Sequence, residues 1–173
     1  MGILVYSGVL KDGTPVEVER ATPEDREKLI HFYEALSAEC IYNRFMSIIR
    51  YFDPYVDSLF RGNAIVLMAK VNDKVVGVAE VVYDDRGMGE SGIAVLDEYQ
   101  GKGIGSLLGR LIIEEAKKNG IKKFYAYILP TNMKALQMAL KHGARIVKRY
   151  SGMLYLEFDL EGLNKGERKT REN

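Results

Sequence analysis

Tryptophan is absent from this chain of 173 residues, proline occurs only four times, and a single cysteine is present, Cys40. One thiol excludes an intramolecular disulfide and a cysteine-rich zinc cluster, and it fits a reducing, cytoplasmic setting. No apolar run approaches the ~18 residues that a membrane span requires. The start, Met1-Gly2-Ile3-Leu4-Val5-Tyr6, lacks the basic region and long apolar stretch of a secretory leader. Excess charge of one sign is missing as well. With 25 Lys and Arg against 24 Asp and Glu, the net charge of +1 is too small a field to draw in a nucleic acid or a membrane surface. Neither is expected as a partner, and no metal site is expected.

What the chain does have is apolar material, 47% hydrophobic residues beside 28% charged ones, enough to close one core at single-domain length. Asp12-Gly13 closes a turn, so residues 1–13 read as a hairpin arm leading to a strand in which Val16, Val18 and Arg20 alternate with Glu17 and Glu19. Thr22-Pro23-Glu24-Asp25 opens a helix whose buried stripe is Leu29, Phe32, Tyr33 and Leu36. Ser37 caps a second helix, and Ile41, Phe45, Ile48, Ile49 and Phe52 prolong its apolar pattern as far as Asp53-Pro54, where proline is expected to end it. The run 64–71, AIVLMAKV, suits a strand buried on both faces. A turn at Asn72-Asp73-Lys74 returns the chain through Val75–Tyr83, and Met88–Leu96 makes a third strand. A helix follows, with Leu107, Leu108, Leu111, Ile112 and Ala116 inward, Glu114 set to pair with Lys118, and Gly120 as its left-handed stop. Phe124–Leu129, a helix after Asn132, Arg145–Tyr150 and Met153–Asp159 complete a mixed α/β architecture. The polar tail from Glu161 onward is expected to be mobile.

The segment between the third strand and its helix, Gln100-Gly101-Lys102-Gly103-Ile104-Gly105, carries the chemistry. Glycines there let main-chain N–H groups approach an anion closely, at the positive end of the helix dipole. A dinucleotide fingerprint would need glycine in place of Ser106 or Leu108, and a Walker loop would need Ser or Thr in place of Gly103. The pattern that remains is Gln-x-x-Gly-x-Gly, which also occurs in connectors that hold no ligand.

With its flanks, Ile93-Ala94-Val95-Leu96 before and Leu107-Leu108 after, this loop resembles the main motif of the GNAT acetyltransferase superfamily. Three earlier blocks are similar to the start of the Pat-type protein lysine acetyltransferase domain: Leu10-Lys11-Asp12-Gly13-Thr14-Pro15-Val16, Ala21-Thr22-Pro23-Glu24-Asp25 and Leu36-Ser37-Ala38-Glu39-Cys40-Ile41-Tyr42-Asn43-Arg44-Phe45. The resemblance implies one N-acetyltransferase domain over residues 1–160. It also implies a central mixed, mostly antiparallel sheet splayed at the strand that binds acetyl-CoA and flanked by helices. In the family the domain is often fused to other modules; here it is expected to stand alone.

The same resemblance implies an activity, transfer of an acetyl group from acetyl-CoA to the side-chain amine of a protein lysine by direct attack. A small amine as acceptor and a non-catalytic acyl-CoA-binding module are the alternatives. It assigns the coenzyme A thioester to Ala94, Val95, Gln100, Gly101, Lys102, Gly103, Ile104, Gly105, Ser106 and Asn132, with a main-chain N–H near Val95 for the oxyanion. Lys134 is a further candidate for the phosphates, and Asn132 also reads as a helix cap. Glu90 matches the glutamate given the general-base role in Pat-type enzymes; on residue type alone it is equally a solvated strand carboxylate. Glu80, a charge among Val76, Val78 and Val82, needs either a proton-relay purpose or a partner such as a lysine on the next strand. Glu39 fits a helix surface or the acceptor side. The tyrosine acid of many small-molecule relatives would fall at Ala139 and is absent, which leaves water to reprotonate the thiolate. Cys40 reads as packing, because neither His31 nor His142 sits in a triad context. The seven Met and eleven Tyr read as scattered core or rim residues and not as a binding stripe. A monomer or a homodimer is expected.

Overall fold

A computed structural model describes residues 2–161, so the expected mobile tail lies, apart from Glu161, outside the described residues. The strands are β1 (Ile3–Val9), β2 (Pro15–Arg20), β3 (Ala64–Val71), β4 (Lys74–Tyr83), β5 (Met88–Val95), β6 (Lys123–Ile128), β7 (Arg145–Tyr150) and β8 (Met153–Asp159). The helices are α1 (Arg26–Glu34), α2 (Ala38–Phe45), α3 (Asp53–Arg61), α4 (Ile104–Lys118) and α5 (Met133–Lys141). The strands form one sheet in the order β1-β2-β3-β4-β5-β6-β8-β7. Every neighbouring pair is antiparallel except β5 and β6, which the α4 crossover joins in parallel.

Register sorts the side chains onto two faces. Val66, Glu80 and Gly92 stand side by side across β3, β4 and β5, on the face that receives Tyr33 of α1 and Arg44 of α2. The opposite face receives α4. Gly77 permits that approach, since a Cβ there would lie 3.0 Å from both Ile104 Cγ2 and Leu108 Cδ1. The core follows β3 and β4, where Ile65, Leu67, Ala69 and Val81 have no exposed surface. The β3–β4 turn holds Asn72 and Asp73 at φ 51° and 63°, left-handed values that these two residue types tolerate best.

Two local expectations are corrected, and one buried ion pair is added. α2 stops at Phe45, because Met46 turns left-handed at φ 54°, and Asp53-Pro54 opens α3 instead of closing a helix. Proline in the first turn gives up an N–H that has no intrahelical acceptor anyway. Glu19 is buried and accepts a hydrogen bond from Lys70 Nζ at 2.7 Å, because β2 lies inside the sheet with β3 as its neighbour. Lys118 pairs with Glu115 at 3.3 Å, and Glu114 meets Arg110 at 3.8 Å, so the expected Glu114 to Lys118 pair does not form.

Candidate active site

β5 and β6 pair at Met88↔Lys123, Gly89↔Phe124 and Glu90↔Tyr125 and no further. Beyond Glu90 the strands part, and a cleft of ≈ 620 Å³ opens between them, bounded by α2, the glycine loop, α4 and α5. Leu96 N–H donates to Val76 O across β4. Strand alternation therefore aims the N–H of Val95 the other way, into the cleft. Ala94 and Val95 both line it.

The loop closes one end. Gly101 and Gly103 have φ of 79° and 89°, and no atom lies within 4 Å of where a Cβ would stand on either. Gly103 is the N-cap of α4, with no side chain bonded across it and no acid in the first turn. The first N–H groups of a 15-residue helix are thus presented over an open glycine surface, a cradle that fits a diphosphate. Gln100 ties the loop to the strand, since its amide donates to Val95 O at 3.0 Å and to Asp97 Oδ1 at 3.3 Å. Asp97 in turn accepts from Ser37 Oγ, the cap of α2, at 3.2 Å.

The other loop-side residues divide. Ile104 is buried, and Gly105 lines the cleft facing Met138 Sδ. Lys102 turns outward to Asp12 Oδ2 at 3.2 Å. Hydrogen bonds from Thr14, with Lys102 beside them, hold the Asp12 carboxyl down at about 2. Ser106 Oγ accepts from Lys141 Nζ at 3.4 Å, and neither Lys102 nor Ser106 borders the cleft. Asn132 borders it while its Oδ1 caps α5 at Ala135 N, 3.4 Å away, and Lys134 stands on the same rim. Ala139 lines the cleft with His142, whose Nδ1 and Nε2 lie 2.8 Å from Met138 O and 3.2 Å from Ser106 O.

The two glutamates occupy different settings. Glu90 is exposed and borders the closed end of the cleft, at the last residue where the strands still pair. Glu80 is 1% exposed; its Oε2 accepts from Tyr33 Oη at 2.8 Å, and its Oε1 is paired with Arg44 Nη2. Burial pushes the Glu80 carboxyl above its ordinary range, with Arg44 and Tyr33 acting in the opposite sense. Its partners come from α1 and α2 and not from a lysine on the next strand, because Lys70 is engaged by Glu19. Arg44 also donates to Tyr55 Oη at 3.1 Å, lies over the Phe45 ring at 4.7 Å, and occupies the space that a side chain at Gly92 would need.

Cys40 borders the cleft from α2, with Sγ 3.8 Å from Val95 O. Burial raises its thiol pKa, which holds it in the less nucleophilic thiol form. Glu39, beside it, is also on the rim. The tyrosines are less scattered than their spacing indicates. Tyr125 and Tyr127 of β6 and Tyr155 of β8 share one face, with ring centroids 5.2–6.2 Å apart, and Tyr150 of β7 lies 6.4 Å from Tyr127. Alternation within β6 is the signal that sequence reasoning missed.

Known proteins share this sequence pattern and fold. The profile described as "Acetyltransferase (GNAT) family" matches residues 29–144. The acetyltransferase Pat of Mycolicibacterium smegmatis is 28% identical over 145 residues, 80% of this chain and 44% of that protein. An acetyltransferase of Pseudomonas aeruginosa is 28% identical over 126 residues, 68% of each chain. The chain thus spans less than half the length of the first relative and about two thirds of the second. The crystal structure of the GNAT domain of S. lividans PAT superposes with a TM-score of 0.82 at 27% identity, covering 89% of this chain and 96% of that one. The PaiA N-acetyltransferase of Thermoplasma acidophilum, solved with coenzyme A, shares the fold at a TM-score of 0.64 and 19% identity, with 84% and 98% covered. A profile match over more than half of the chain establishes kinship: the chain belongs to the acetyltransferase (GNAT) family.

Proposed function

We propose that the chain acetylates the side-chain amine of a protein lysine by direct attack on the thioester, with Glu90 accepting the amine's proton through water. The observation that carries this reading is the position of Glu90, a carboxylate facing the cleft where β5 leaves β6. The kinship to proteins named Pat supports the choice of acceptor.

A lysine amine with a pKa of about 10.4 is almost wholly protonated at neutral pH, so attack requires a base beside the incoming nitrogen. Glu80 is poorly suited, since both its oxygens are engaged by Arg44 and Tyr33 beneath α2. Glu90 is exposed on the cleft side and has room for an intervening water. The thioester supplies an activated acyl carbon. The N–H groups at the start of α4 hold the diphosphate, and the Val95 N–H, free of β6, donates to the carbonyl oxygen as charge builds on it. The amine nitrogen bonds to the acyl carbon, the carbon–sulfur bond breaks, and coenzyme A leaves as a thiolate that water protonates. Cys40 takes no part, because its thiol is held toward Val95 O.

Labelled acetyl-CoA offered to protein and polyamine acceptors tests the acceptor class, and label entering protein lysines is expected. In Glu90→Gln, turnover falls by about 10²–10⁴-fold, the usual worth of a general base. The defect narrows as pH rises toward the amine's own pKa, where free amine becomes plentiful. Equal turnover of wild type and variant from pH 6 to 9 removes Glu90 from the mechanism.

A further inference from the structure

Next to Glu90 the sheet carries a feature that the acyl-donor site does not use. Tyr125 is the cross-strand neighbour of Glu90. Tyr155 stands opposite Tyr127 on β8, and Lys148 of β7 stands opposite Tyr155. One face of β6, β8 and β7 is therefore a row of half-buried phenol rings running outward from the proton acceptor to a sheet edge, with Tyr127 bordering the cleft. At its outer end a cation is already seated: Lys148 Nζ lies 5.4 Å from the Tyr155 ring centroid and 5.6 Å from that of Tyr150. Both distances fall inside the ~6 Å at which the negative face of a ring attracts an ammonium. The carboxylate under the row, Glu157, is already engaged by the Tyr155 hydroxyl at 3.0 Å, Lys123 at 3.5 Å and Arg145 at 3.6 Å, so it does not compete for an arriving cation.

We propose that Tyr125, Tyr127 and Tyr155 form the track along which the acceptor's ammonium-bearing side chain reaches Glu90, and that Lys148 occupies the outer end of this track until the acceptor displaces it. The inference rests on the lysine-acetylation reading above and deepens it. An acceptor arrives as an ammonium and gives up its proton only at the base. Ring faces suit such a delivery, because they attract the charge and bear on the aliphatic stem while accepting no proton themselves. A lysine is the occupant, since a long methylene stem carrying one compact cation is what Lys148 itself presents to these rings.

The probe is a five-residue peptide with one central lysine and neutral flanks, with its norleucine counterpart as control, used with the full chain at saturating acetyl-CoA. Tyr127→Leu and Tyr155→Leu each raise KM for the lysine peptide by about 3- to 30-fold, the worth of one or two ring contacts, and Tyr127→Phe and Tyr155→Phe recover most of it. Lys148→Met acts in the opposite sense and lowers KM about threefold or more, which a merely structural role does not produce. The rise in Tm with coenzyme A verifies that each variant is folded, and calorimetry with both peptides measures binding without turnover. Transfer to the lysine peptide with KM unmoved in all these variants overturns the track and leaves the acetyltransferase reading intact. Ring-dependent binding of the lysine peptide without transfer keeps the track and overturns lysine acetylation. Neither binding nor transfer overturns both.

Discussion

Arg44 and Glu80 show how one charge pair organises one side of the cleft. Glu80 is buried among strands, and Arg44 reaches it from α2 across the bare backbone of Gly92. Replacing Arg44 with Met strands a buried carboxylate, which costs about 3–5 kcal/mol. Adding Glu80→Gln to that variant recovers part of the loss, because the uncompensated charge is gone; chemical denaturation of the two variants measures the difference. The pH dependence follows from the direction of the shift. The folded-state pKa of Glu80 lies above its unfolded value, and loss of Arg44 raises it further. The associated stability is fully present below the unfolded pKa and is lost as pH rises through the folded one. Arg44→Met is therefore expected to lose more Tm than Arg44→Met/Glu80→Gln between pH 5 and pH 8, and parallel Tm profiles for the two contradict the assignment.

At the scale of elements, the glycine loop and α4 form one device. Gly103 sits at φ 89°, and a methyl group there would project into the open space before the start of α4, where the proposed diphosphate site lies. Gly103→Ala costs about 1–2 kcal/mol of backbone strain and weakens coenzyme A binding as well, which calorimetric titration reads directly. Gly77→Ala affects a different property. Its methyl group meets Ile104 and Leu108 and lifts α4 from β4, so about 1–3 kcal/mol of stability is lost, as unfolding in urea will show. Most elements were legible in sequence because their periods are clean: AIVLMAKV becomes β3, and the run after Gly103 becomes α4. α3 was not, since Pro54 reads as a stop until its place in a first turn is known. The partners of Glu80 were not either, because Tyr33 and Arg44 precede it by 47 and 36 residues and meet it only through helix packing. The tyrosine row stayed hidden for the same reason: Tyr127 and Tyr155 become neighbours only once β8 inserts between β6 and β7.

For the whole molecule, the question that the proposed function raises is what holds a polyanionic acyl donor on a chain of net charge +1. No general field does so, and the lysine inside the loop is no substitute, because Lys102 is turned to Asp12. In the proposed site the grip comes from main-chain N–H groups at the start of α4 and along the free edge of β5, groups that carry no net charge and are fixed by the fold. Such a site depends less on ionic strength than one built from lysines, whose long-range attraction is screened within about 8 Å at 0.15 M salt. Coenzyme A at a hundred times its Kd stabilises the folded chain by about 2.7 kcal/mol. For a chain of this size that corresponds to a Tm rise of about 5–10 °C. Lys102→Ala is expected to reduce this rise by only a small fraction at 0.05 M and at 0.5 M salt alike, as thermal denaturation with and without coenzyme A will measure. If the rise vanishes in Lys102→Ala, or collapses in wild type at 0.5 M salt, the anion is held by side-chain charge and the main-chain cradle is not the source of affinity.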